Sequence, residues 1–64
     1  MFALIPVNSS AIAAVGYFAG ILTVRFTNGR VYDHPGVPLY VFLGLMAASS
    51  KGAFYNRFIR GRYR

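Results

Sequence analysis

ILTVRFTNGRVYDH, residues 21–34, decides the fold. Two runs rich in β-branched and aromatic residues flank Asn28-Gly29, and that dipeptide between alternating segments is a strong hairpin signal. A two-residue type I′ turn needs φ > 0 at both central positions, which Asn and Gly tolerate best. Its register sets Phe26 opposite Val31, Arg25 opposite Tyr32, Thr27 opposite Arg30 and Thr23 opposite His34. Leu22, Val24, Phe26 and Val31 then share an apolar face, while Thr23, Arg25, Thr27, Arg30, Tyr32 and His34 share the other.

Upstream, AIAAVGYFAGIL predicts a strand from Ile12 to Phe18 that turns back through Ala19-Gly20. A two-residue loop there pairs Tyr17 with Leu22 and Val15 with Val24, continuing the apolar face. It also places Gly16 opposite Thr23, a flat spot beside Arg25 and His34 where a ligand could approach.

Downstream of HPGVP the apolar period changes from two to nearly four. Val41, Phe42, Leu45 and Met46 predict a helix from Pro38 to Ala48, with proline suited to its first turn. Ser49-Ser50 ends it and caps a second helix, Gly52 to Arg60, in which Phe54, Phe58 and Ile59 close the core and Gly61 makes the stop. The expected fold is α+β: a three-stranded antiparallel meander followed by two C-terminal helices packed on its apolar face, one domain over residues 1–64.

A domain of 64 residues buries only about 60% of the surface its unfolded chain exposes. There is no Cys, so no disulfide or thiolate-bound zinc supports it. Six Phe and five Tyr must supply the core, with self-association into a homo-oligomer as the other route. Residues 1–24 are uncharged, but Pro6, Asn8-Ser9-Ser10, Gly16 and Gly20 interrupt them, and no membrane span or signal peptide is expected. Cytoplasmic residence is the expectation. Seven basic residues against the single acid Asp33 favour a polyanion as partner.

Three segments, VNSSAIAAVGY, LTVRFTNGRVYDHPGVP and GLMAASSKGAFYNRFIRGRY, resemble in order the KTSC domain, over nearly the whole chain. That family is named for its place at the C-terminus of some lysyl-tRNA synthetases and also occurs as small stand-alone bacterial and phage proteins. Its SSKG-x-[FY]-[FY]-N segment reads SSKGAFYN here, Ser49 to Asn56. The synthetase context of the family implies RNA binding. Two departures stand out. Where the family tends to have YxY this chain has Tyr32-Asp33-His34, and where the family commonly carries acids in the first helix, Leu39, Tyr40 and Leu43 occupy the neighbouring positions. A helix left apolar nearly all round should be covered, by a second copy or by a partner protein.

The expected activity is therefore binding, sequence-tolerant, to RNA or single-stranded nucleic acid. Arg25, Arg30, Tyr32 and His34 combine cations with stackable rings on the sheet face. Lys51, Arg57, Arg60, Arg62, Tyr63 and Arg64 form a basic border, good for four or five phosphates. Offsetting the helix dipole accounts for Arg57 and Arg60 but not for the arginines beyond Gly61. The alternative is a protein-interaction module in which Leu39, Tyr40 and Leu43 with the basic tail dock on an acidic surface of a nucleic-acid-processing machine. No enzyme is expected. Asp33 and His34 are neighbours on a strand and point to opposite faces, and Lys51-Gly52 lacks the glycine-rich run of a phosphate loop. A lone His is too little for a metal site, and no cofactor is implied.

Overall fold

The structure, a computed structural model, describes residues 4–63. Four strands form one antiparallel sheet in sequential order: β1 (Ile5–Pro6), β2 (Ile12–Phe18), β3 (Ile21–Phe26) and β4 (Val31–His34). Helix α1 spans Leu39–Ala47, and α2 (Lys51–Phe54) runs directly into a π-helical turn, Tyr55–Ile59. The class is α+β as expected, but the meander has four strands rather than three. The added strand is two residues long, too short for a period-two signal. Its Pro6, with no N–H to give, belongs on a sheet edge, where β1 lies.

The β2–β3 pairing follows the expected register: Val15 faces Val24, Gly16 faces Thr23 and Tyr17 faces Leu22. Both turn residues are left-handed, Ala19 at φ 53° and Gly20 at φ 78°, so the primed two-residue turn lies here. Near the start of β2 the pairing jumps from Ile12↔Phe26 to Ala14↔Arg25, leaving Ala13 as a bulge. The bulge lets Ile12 and Val15 both enter the core, each fully buried.

The β3–β4 hairpin corrects the opening expectation. Only Gly29 of its loop is left-handed, at φ 92°, and the Phe26 amide donates to the Arg30 carbonyl at 2.8 Å. Thr27, Asn28 and Gly29 thus form a three-residue loop, and the register moves by one: Leu22 faces His34, Thr23 faces Asp33, Val24 faces Tyr32 and Arg25 faces Val31. A one-residue slip exchanges the faces of every β4 side chain. Tyr32 and His34 go to the helix side, while Val31 and Asp33 go to the open side.

Asp33 contributes to the choice. The expected register would turn its carboxylate from the open face toward the helices, and taking a charge out of water is costly. The observed one lets Asp33 accept the Thr23 hydroxyl at 2.6 Å and leaves Val31 half exposed, forfeiting roughly 1.5–3 kcal/mol of burial at most.

The core lies between sheet and helices. Ile12, Val15, Leu22 and Val24 meet Val37, Val41 and Leu45, closed by Tyr55 and Ile59. Of the expected closing residues only Ile59 is fully buried; Phe58 is 43% exposed and Tyr55 takes the inner position. Phe54 is partly buried and packs against the core, as expected, while Phe58 stacks outside it on the Phe54 ring, centroids 4.8 Å apart, on the α1 side of that segment. Ser50 caps α2 as expected, its Oγ accepting from the Ala53 amide at 3.4 Å, and Gly61 ends the segment at φ 76°. Among the described residues no helix is long and apolar enough to cross a membrane.

Candidate nucleic-acid interface

Shifting β4 by one residue builds a cleft that the expected register could not. Tyr32 and His34 now face the π-helical turn, and the hairpin end brings Asn28 and Arg30 beside them. Across the gap stand Tyr55, Asn56, Arg60 and Tyr63. The cleft has a volume of about 760 Å³, with Phe26, Asp33 and Gly61 also in its wall. One side derives from the sheet edge and the other from the C-terminal segment, so residues about 30 positions apart converge.

Its floor is a hydrogen-bonded chain. His34 Nδ1 lies 2.7 Å from the Tyr63 carbonyl, which can only accept, so Nδ1 carries the proton. In the neutral imidazole Nε2 is then the acceptor, and the Tyr55 hydroxyl donates to it at 2.9 Å. His34 is 8% exposed with both nitrogens satisfied, which makes it a structural pin between sheet and tail rather than a stacking surface. The aromatic walls interlock: Phe26 meets Tyr55 edge to face at 5.1 Å and stands at 74° to Tyr32 at 5.7 Å.

Two electrostatic features follow. The Tyr32 hydroxyl oxygen, an acceptor for the Arg30 guanidinium, raises the already high Arg30 pKa and keeps it charged. Burial raises the Tyr55 pKa, partly offset by the Arg60 charge and assisted by Tyr32, which keeps the hydroxyl protonated as its bond to His34 requires. A raised tyrosine pKa stabilises the fold below the ordinary value near 10, and the contribution is lost as pH rises through the folded value. Tyr55→Phe should therefore cost about 1–3 kcal/mol near neutrality by orphaning Nε2. Above about pH 10 the gap between the variant and the parent should narrow. Urea melts at pH 7 and pH 10.5 read both effects.

The remaining expected site residues are dispersed. Arg25 sits on the open face opposite Val31, beside Ile21 and Thr23, so that face carries one arginine among apolar neighbours instead of a cationic cluster. The flat spot at Gly16 lies by Thr23 and Asp33, not by His34. Lys51 Nζ donates to the Ala48 carbonyl at 2.9 Å, closing the end of α1. Arg57 lies over the Phe58 ring at 5.5 Å. Arg62 borders a second groove, between α1 and the C-terminal segment, lined by Tyr40, Gly44, Phe54 and Phe58. Leu39, Tyr40 and Leu43 are 56%, 75% and 53% exposed on the outer side of α1. Arg64 lies outside the described residues.

Sequence reasoning missed Asn28, Tyr55 and Asn56 as cleft residues. The available signal for Tyr55 was its spacing of four from Ile59, an inward pair on one helical face.

Comparison with known proteins agrees with this architecture. A crystal structure of a KTSC domain protein from Yersinia pestis superposes with a TM-score of 0.92 at 33% identity, covering 97% of this chain and 90% of that one. A protein of Tsukamurella paurometabola is 48% identical over 61 residues, 92% of this chain and 91% of its own length. The lysine–tRNA ligase of Trichormus variabilis is 42% identical over 43 residues, 67% of this chain but only 8% of the ligase. The KTSC domain profile itself matches residues 8–63. With that match covering most of its length, the chain belongs to the KTSC domain family.

Proposed function

We propose that this protein is a binding module for RNA or single-stranded nucleic acid, tolerant of sequence and acting in the cytoplasm. The observation that carries the reading is the convergence of Arg30 and Arg60 on a cleft that holds the part-exposed Tyr32 ring. Cations for phosphate beside rings for bases are the working parts of single-strand binders. Arg57 and Arg62, which lie outside the cleft, add further cations for a polyanion. The lysine–tRNA ligase match adds an RNA-handling context. A binding role rather than an enzymatic one is supported by the geometry of Asp33 and His34, which point to opposite faces of β4.

The test is fluorescence anisotropy with labelled single-stranded RNA and DNA across a salt series. Affinity should fall with salt at a log–log slope of about −0.7 for each phosphate held. Replacing Arg30 and Arg60 together by Ala should make the slope shallower by about 1.4. Absence of binding at low salt sinks the reading.

A second reading is favoured by one observation: α1 carries no charged residue, yet Leu39, Tyr40 and Leu43 are exposed, with Arg57 and Arg62 on the adjoining segment. Such a surface suits an acidic protein partner. A partner captured from nuclease-treated lysate and lost on Leu43→Asp supports it, whereas a dimer in light scattering assigns the face to self-association.

A further inference from the structure

We infer that the cleft holds a single unstacked nucleotide unit, with the base against Tyr32, its edge toward Asn28 and Asn56, and the phosphate between Arg30 and Arg60. This rests on the nucleic-acid reading above and narrows it from a track along a strand to one pocket. Its size is the first argument. About 760 Å³ lies within the range of small-molecule sites, about 300–1,000 Å³, and is room enough for one nucleotide unit.

Its charge is the second. Arg30 enters from the sheet wall and Arg60 from the helical wall; Asp33 also lines the cleft, but its Oδ1 accepts the Thr23 hydroxyl at 2.6 Å, and the two arginines outweigh its single charge. The ligand end between the arginines is thus an anion. The third argument is the donor set. Asn28 Oδ1 already accepts from the Arg30 amide at 3.0 Å, which leaves the Asn28 amino group to donate. Asn56 is exposed and supplies both donor and acceptor. Arginines and amides together call for a ligand rich in acceptors, as a phosphate joined to a base is. The pocket is also pre-shaped, because the chain from Tyr55 through His34 to Tyr63 fixes its floor and Phe26 fixes the plane of Tyr32.

The same chemistry is offered by a free mononucleotide and by a nucleotide within a strand, and the experiment separates them. Amide chemical-shift titrations would use adenosine monophosphate, adenosine and inorganic phosphate as probes. Anisotropy would compare a single-stranded RNA with the same strand bearing abasic sites. The nucleotide should shift Tyr32, Asn56 and Arg60 amides and bind at least about tenfold more tightly than adenosine or phosphate. The abasic strand should bind at least about tenfold more weakly than its parent.

Equal binding of parent and abasic strands overturns the pocket while leaving nucleic-acid binding standing. Binding of the mononucleotide with no binding of any strand supports the pocket and overturns the strand reading. No shift with any probe and no strand binding overturns both. Tyr32→Leu, checked for a folded amide spectrum, should reproduce the abasic loss. The wild-type comparison decides the matter if that variant does not fold.

Discussion

Replacing Ile59 by Ala should lower the unfolding free energy by about 2–5 kcal/mol, the cost of a large-to-small change at a well-packed site. Ile59 is fully buried and sits at the end of the π-helical turn, where it meets the sheet core. For a domain of this size total stability is about 3–10 kcal/mol at the usual value per residue, so the loss is a large share of the whole. The melting temperature should fall by at least about 8 °C, since 1 kcal/mol corresponds to about 4–8 °C in so small a domain. Phe58→Ala, next in sequence but 43% exposed, should cost clearly less. Equal losses for the two in paired urea melts would mean that Phe58, as its apolar character invites one to expect, closes the core.

His34→Ala is the second large effect, at about 2–4 kcal/mol. It removes both hydrogen bonds of the imidazole and leaves the Tyr55 hydroxyl and the Tyr63 carbonyl without their partner. Hydrogen exchange at the amides of residues 60–63 should quicken more than in the sheet, because His34 is what ties that stretch to β4. His34→Asn, which keeps a donor near the Nδ1 position, should recover part of the loss. In the register read from sequence His34 faces solvent, and its truncation there would fall within about 0.5 kcal/mol. A urea midpoint unchanged by His34→Ala would therefore restore the two-residue turn at Asn28-Gly29.

What was legible in the sequence and what was not divides along this hairpin. Strand β2 and both helical regions follow from periodicity, and the β2–β3 register follows from matching Val15 with Val24 and Tyr17 with Leu22. Asn28-Gly29 marks the place of a turn but serves two loop lengths, because Gly29 is left-handed in both. A residue that bears on the choice is Asp33, whose carboxylate accepts the Thr23 hydroxyl in the observed register.

For the cleft, residue types were legible and their assembly was not. Arg30, Tyr32, Arg60 and Tyr63 were recognised as carriers of charge and ring, yet on different surfaces; they meet because the register slips and the C-terminal segment crosses the edge of β4. The π-helical turn adds to this. Its Arg60 amide reaches back five residues to the Tyr55 carbonyl at 2.8 Å, a geometry that apolar spacing does not announce.

The three-residue loop gives the hairpin a parity. An even loop and an odd one present opposite sides of the same β4 sequence to the helices, so the gain or loss of one residue among Thr27, Asn28 and Gly29 inverts which half of Val31-Tyr32-Asp33-His34 is inside. Evolution of this cleft is thereby coupled to loop length as tightly as to side-chain identity: a relative could retain each cleft residue and still lose the site through a single-codon deletion at the hairpin tip.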